Sequence, residues 1–271
     1  MRQRLLTAII GIPITLVIIF FSHTYVWETA GLILTVIGIY EALACIGLKK
    51  DPYISALSYI YGAVTIILSF CSYRFVYHAT SIYVVLLLAA CVLYKNKISF
   101  NSIAAIGLVT AYTVNGIFSL IALRRIDGVG IYMIFLAFIG AWVTDGFAFI
   151  VGKACGKHKL IPEISPKKTV EGAIGGVLFC ALGYALFGFI ASYFFDRQVN
   201  FLVLIIAGIV ISVFSMLGDL ILSALKRTYG LKDFGNLLPG HGGVLDRFDS
   251  IFAISPVLLM ISGLDIFYLI K

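Results

Sequence analysis

The sequence predicts an all-α, polytopic integral membrane protein with about nine transmembrane helices, its N-terminus cytoplasmic and its C-terminus on the opposite side. Three observations carry this expectation. Of the 271 residues, 61% are hydrophobic and only 12% are charged, whereas soluble domains carry about 25% charged residues. Apolar runs of about 20 residues, the length that crosses a bilayer, recur along the whole chain. None alternates as a barrel strand would, and helices are the default in lipid, which cannot satisfy exposed backbone groups. The basic residues, finally, are asymmetric: with the N-terminus inside, fifteen of the twenty Lys and Arg residues fall in cytoplasmic segments. The net charge of +7 then reads as loop charge facing anionic lipid, with no nucleic-acid partner implied.

The first run, residues 1–22, opens with MRQR and contains Pro13. The run is long and no small-residue cleavage site follows, so it reads as a retained span kinked at Pro13. Further spans are predicted at 26–47, 54–71, 79–94, 101–123, 129–151, 172–195, 200–224 and 251–270. Two polar loops, 152–171 and 225–250, share the cytoplasmic side. The first four spans hold less buried charge than the later ones. A scaffold region 1–97 followed by a catalytic region 98–271 is the expected division, with a single domain as the alternative.

Cys45, Cys71, Cys91, Cys155 and Cys180 are scattered without a C-x-x-C pair, which argues against a disulfide framework or zinc site and for packing roles. Glu41, near the cytoplasmic end of the second span, is expected to be structural, snorkelling or pairing with a nearby lysine. Asn115 is expected to join helices by hydrogen bonding, and Gly172 with Gly176 to bring two helices close. Asp265 receives no catalytic role. A P-loop, a G-x-S-x-G elbow and an H-E-x-x-H pair are all absent from the sequence.

The chemistry concentrates between Asp219 and Asp249. Asp219, Ser223, Lys226 and Arg227 sit at i, i+4, i+7 and i+8, one face of a helix. Asp219 lies in an apolar run, where a carboxylate needs a partner or a metal. Asp246 and Asp249 are three apart and share a helical face. Between the acidic pairs lie Lys232, Asp233, Pro239, His241, Gly242 and Gly243. A Gly-Gly pair lets backbone N–H groups approach an anion. Carboxylates hold a hard divalent cation, and Lys and Arg hold phosphate. A metal-dependent phosphoryl or nucleotidyl transfer site needs that combination. His241, beside the glycines, is suited to bonding phosphate or orienting the loop rather than to acting as a general base.

Two further segments add to it. The loop GKACGKHKLIPEISPKKTVEG carries Lys153, Lys157, His158, Lys159, Lys167 and Lys168. Ser165, Thr169 and Glu171 precede or open the next helix, which Thr169 or Ser165 can cap. Asp145, in WVTDGFAF, is an intramembrane acid without a neutralising neighbour in sequence, and a shared cation or a loop lysine is its candidate partner.

The stretch SALKRTYGLKDFGNLLPGHGGVLDRFD resembles the signature of the phosphatidate cytidylyltransferase (CDP-diacylglycerol synthase) family. Its fixed positions are filled by Ser223, Lys226, Arg227, Lys232, Asp233, Pro239, His241, Gly242, Gly243, Asp246, Arg247 and Asp249. SPKKTVEG resembles a second block of the same family, and the W-x-x-D around Asp145 a third. The resemblance implies transfer of CMP from CTP to phosphatidate, giving CDP-diacylglycerol and pyrophosphate, with Mg2+ and room for a second cation. It implies a catalytic set of Asp219, Ser223, Lys226, Asp246 and Asp249. Metal ligands would come from Asp219, Asp246, Asp249 and Asp145. Substrate binding would fall to Ser165, Lys167, Lys168, Thr169, Glu171, Arg227, Lys232, Asp233, His241, Gly242, Gly243 and Arg247. A homodimer is a further expectation, and a bacterial host would place the protein in the inner membrane with its site facing the cytoplasm. A CTP-dependent polyprenol kinase and an ion-coupled transporter working through Asp145 and Asp219 are the competing readings.

Overall fold

The computed structural model describes residues 13, 15–22, 25–69, 73–95, 97–235, 237, 242–263 and 269–270. Most of the predicted first span therefore lies outside the described residues, as do Cys71, Pro239, His241, Asp265 and Lys271, although residues 15–20 are helical. Eight complete helices follow among the described residues. They are α1 Tyr25–Ile46, α2 Pro52–Leu68, α3 Tyr73–Leu93, α4 Phe100–Arg124, α5 Gly130–Cys155, α6 Val170–Phe195, α7 Phe201–Thr228 and α8 Leu245–Ser262.

The protein is an all-α membrane-spanning chain. Six of these helices are long and apolar enough to cross a membrane: α1, α3 from Phe75 onward, α4, α5, α6 and α7. At 17 residues α2 is shorter, and α8 carries Asp246, Arg247 and Asp249 near its start. One departure from the expected all-helical pattern is a two-stranded antiparallel hairpin between α5 and α6. It consists of β1, Lys159–Ile161, and β2, Ser165–Thr169, pairing Lys159 with Thr169 and Ile161 with Ser165 around a bulge. Both expected polar loops are shorter than predicted, because α5 runs on to Cys155, α7 runs on to Thr228 and α8 begins at Leu245.

The chain divides into two compact units. The first comprises residues 1–121 and 228–248, and the second 122–227 and 249–271. In the first unit, Asp51 caps α2 by accepting from Ile54 N–H at 2.8 Å, with Pro52 at the opening helical position, where its missing N–H costs nothing. Tyr61 of α2 stacks on Tyr83 of α3, with centroids 4.2 Å apart. Asn115 of α4 donates to the Tyr61 hydroxyl at 3.1 Å, the interhelical bond expected of it. Where α1 meets α2, a Cβ on Gly62 would lie 2.7 Å from Ile39 Cδ1 and 2.8 Å from Thr35 Cγ2, so any larger residue would push these side chains aside.

In the second unit, α5 and α6 approach backbone to backbone. A Cβ on Gly172 would sit 2.5 Å from the Ala148 carbonyl oxygen, one on Gly175 2.6 Å from Val151, and one on Gly176 3.0 Å from the Thr144 carbonyl oxygen. The Gly172 and Gly176 pair thus packs as its spacing predicted. Phe147 and Phe179 stack across the same pair of helices at 3.9 Å. The buried Tyr184 hydroxyl donates to the Leu136 carbonyl at 2.8 Å.

Candidate active site

Thr169 joins the hairpin to α6. Its side chain accepts from Gly172 N–H at 3.1 Å, capping the helix as expected. Because β2 runs straight into that cap, its alternation fixes where the two lysines go. Lys167 is exposed, whereas Lys168 is only 21% exposed and turns inward. The Lys168 ammonium lies 2.7 Å from Asp219 Oδ2 on α7.

The α7 face forms as its spacing predicted. Ser223 Oγ donates to Asp219 Oδ1 at 3.1 Å. Lys226, one turn further on and buried, lies within the field of Asp219. Arg227 is exposed, and its Nε donates a long bond, 3.5 Å, to the Ile164 carbonyl in the hairpin. Two more acids complete this cluster of the second unit. Asp249 of α8 lies in the combined field of Asp219, Asp145 and Lys226. Asp145 of α5 accepts at Oδ2 from Ser250 Oγ at 3.3 Å, and the same hydroxyl lies 3.2 Å from the Ser215 carbonyl. Three carboxylates, two lysines and two serines therefore gather in one unit. Among the described residues, no three or more His, Cys, Asp or Glu side chains are gathered as a metal-ligand set.

The first unit holds the loop between α7 and α8. Gly242 has a φ of +83°, a conformation that favours glycine, and a Cβ there would lie 2.7 Å from Asp246 Oδ2. Asp246 is buried, and its Oδ2 accepts from Phe234 N–H at 2.8 Å and from Gly243 N–H at 2.9 Å. The anion that backbone N–H groups meet here is a side chain of the loop's own helix. Lys232, Asp233 and Arg247 are exposed. His241 is outside the described residues.

Comparison with known proteins supplies a family. A family model described as "Cytidylyltransferase family" matches residues 2–264. The chain belongs to the cytidylyltransferase family. Among curated relatives, it is 42% identical over 181 residues to a phosphatidate cytidylyltransferase of Bacillus subtilis (strain 168), covering 67% of this chain and 66% of that protein. It is 44% identical over 173 residues to the protein of the same name from Staphylococcus haemolyticus (strain JCSC1435), and 43% identical over 173 residues to that of Staphylococcus aureus (strain COL). Each of those two matches covers 64% of both chains. The aligned part thus spans just under two thirds of the length of these relatives.

In this cytidylyltransferase-family chain, three features escaped sequence reasoning. Ser250 links Asp145 to α7, and its only signal was its place directly after Asp249. Lys168 was assigned to substrate phosphate, yet in the structure its ammonium lies on Asp219. Glu171, also assigned to substrate, accepts from the backbone N–H groups of Lys157 and His158 and pairs with His158 Nδ1 at 2.6 Å, tying down the start of the hairpin.

Proposed function

We propose that the chain is a phosphatidate cytidylyltransferase, transferring CMP from CTP to phosphatidate with release of pyrophosphate. The observation that carries this reading is the acid and lysine cluster of the second unit, in which Ser223, Lys226 and Asp249 of the signature stretch meet Asp219, Asp145 and Lys168. A phosphatidate phosphate oxygen attacks the α-phosphorus of CTP in line, and the bond to pyrophosphate breaks. The nucleophile is already ionised near neutral pH, so the task is to bring anionic groups together and hold them, not to remove a proton.

Asp219 and Asp145 both repel Asp249, and a divalent cation such as Mg2+ held by hard carboxylate oxygens would relieve that repulsion, although the three carboxylates are not gathered as a ligand set. Bound there, with or without a second ion, the cation would supply charge neutralisation on phosphate oxygens. Lys168, Lys226 and Arg227 bind phosphate, and Ser223 orients Asp219. Lys167 and Ser165 extend that surface. Asp246 sets the loop that carries Lys232, Asp233 and Arg247, and its assignment to the metal set rests on the family resemblance alone. Thr169 and Glu171 act by fixing the hairpin that presents Lys168.

The same reading takes nine spans with the N-terminus inside, the site facing the cytoplasm of a bacterial inner membrane, catalysis in 98–271 on a scaffold of 1–97, and a homodimer. The test is purified protein with phosphatidate and CTP labelled at the α-phosphate, with and without magnesium. Magnesium-dependent label in lipid together with free pyrophosphate is the expected result. Label left in CDP would replace the reading with a kinase, and ion flux without nucleotide would replace it with a transporter.

A further inference from the structure

Glu41 is an acid inside the apolar helix α1, only 3% exposed, and it holds backbone more than two hundred residues away. Its Oε1 accepts from Val244 N–H at 2.9 Å and its Oε2 from Leu245 N–H at 2.8 Å. Two glycines of the signature loop lie against the same carboxylate. A Cβ on Gly235 would sit 2.9 Å from Oε1, and one on Gly243 would overlap both oxygens. A buried carboxylate is costly unless hydrogen-bonded, and here each oxygen receives one N–H. Asp246 pins the same loop through Phe234 and Gly243. The loop is therefore held by two carboxylates, one from its own helix and one supplied by α1.

We propose that Glu41 is a positioning residue for nucleotide transfer. Its carboxylate sets the backbone at residues 243–245, and through it the placement of Lys232, Asp233 and Arg247. The glycine at 243 is the position that this carboxylate demands. The proposal rests on the cytidylyl-transfer reading above for its kinetic part and on geometry alone for the rest.

Glutamine is the informative replacement. It offers one oxygen acceptor and turns an N–H donor towards a backbone N–H. In Glu41→Gln, the Val244 and Leu245 amides should lose hydrogen-exchange protection while those of α2 and α3 keep theirs. The specificity constant kcat/KM for CTP should fall about tenfold or more, with KM for phosphatidate unchanged. Glu41→Ala vacates the space that a Cβ at 243 needs. Gly243→Ala should therefore cost much less, in activity and in loop protection, in the Glu41→Ala background than in the wild type.

Unchanged protection at residues 244–245 with unchanged kcat/KM overturns the proposal. So does loss of protection spread through α1, α2 and α3, or strict additivity of the two alanine changes. If the wild-type protein does not transfer CMP at all, the functional reading fails. Exchange and the Glu41–Gly243 coupling, both measured without substrate, still decide whether Glu41 sets the loop.

Discussion

Two groups of acids in this chain are treated in different ways. In the first unit, Glu41 and Asp246 together receive four backbone N–H groups, from Val244, Leu245, Phe234 and Gly243. In the second unit, Asp249 lies in the field of Asp219 and Asp145, and these acids are met mostly by side chains, Lys168, Ser223, Lys226 and Ser250, while Asp249 Oδ1 also accepts from Ser250 N–H at 2.8 Å. Backbone donors are fixed in place, so carboxylates that use them become part of the scaffold. Lysine and serine can let go, so carboxylates that use them can exchange partners. On the proposed function, the acids held mainly by side chains are the ones free to take a new partner.

This contrast can be broken by substitution, most severely at Asp219. Asp219→Asn should lower kcat on the order of 10³-fold, because it removes charge where the cluster balances phosphate, while thermal unfolding in detergent stays near wild type. Loss of the fold instead would make Asp219 a scaffold acid like Glu41. Lys168→Gln comes next. It removes the ammonium from Asp219, so kcat should fall about 10²-fold, yet half-maximal activation should need less magnesium, since a competing positive charge has gone. A magnesium titration reads this directly, and a higher requirement would refute the exchange picture.

Gly172→Val attacks the second unit's framework rather than its charges. The added carbons meet the Ala148 carbonyl, and overpacking should cost about 2 kcal/mol in unfolding measurements. The smallest effect is expected for Thr169→Ala, which removes one capping bond and should cost about 1 kcal/mol. A loss of activity far beyond that stability change would show that the cap also holds Lys168.

How legible these features were follows from the range of the interactions behind them. The helices were readable because each apolar run carries its own signal: predicted span 26–47 is α1 at Tyr25–Ile46, and predicted span 101–123 is α4 at Phe100–Arg124. The Asp219–Ser223 contact was readable because four residues of helix fix it. The hairpin was not, since strands of three and five residues in a lysine-rich, proline-containing segment show no clear period of two. Glu41 was recognised as structural, but its partners were not. A nearby lysine was the local guess, and the actual donors are backbone groups that carry no sequence signature. Lys168 was expected to bind phosphate, and its contact with Asp219 was not foreseen, because nothing in the sequence announces that β2 turns it towards α7.

The close seam between α5 and α6 has a consequence for life in a bilayer of varying thickness. Gly172, Gly175 and Gly176 let the two backbones interlock, so neither helix can slide along the other without collision. Tilt is one of the ways in which mismatch with the membrane is relieved, and a locked pair tilts as one piece. The hairpin joining their ends then feels no shear, and Lys168 keeps its register with the seam however deep the surrounding lipid is.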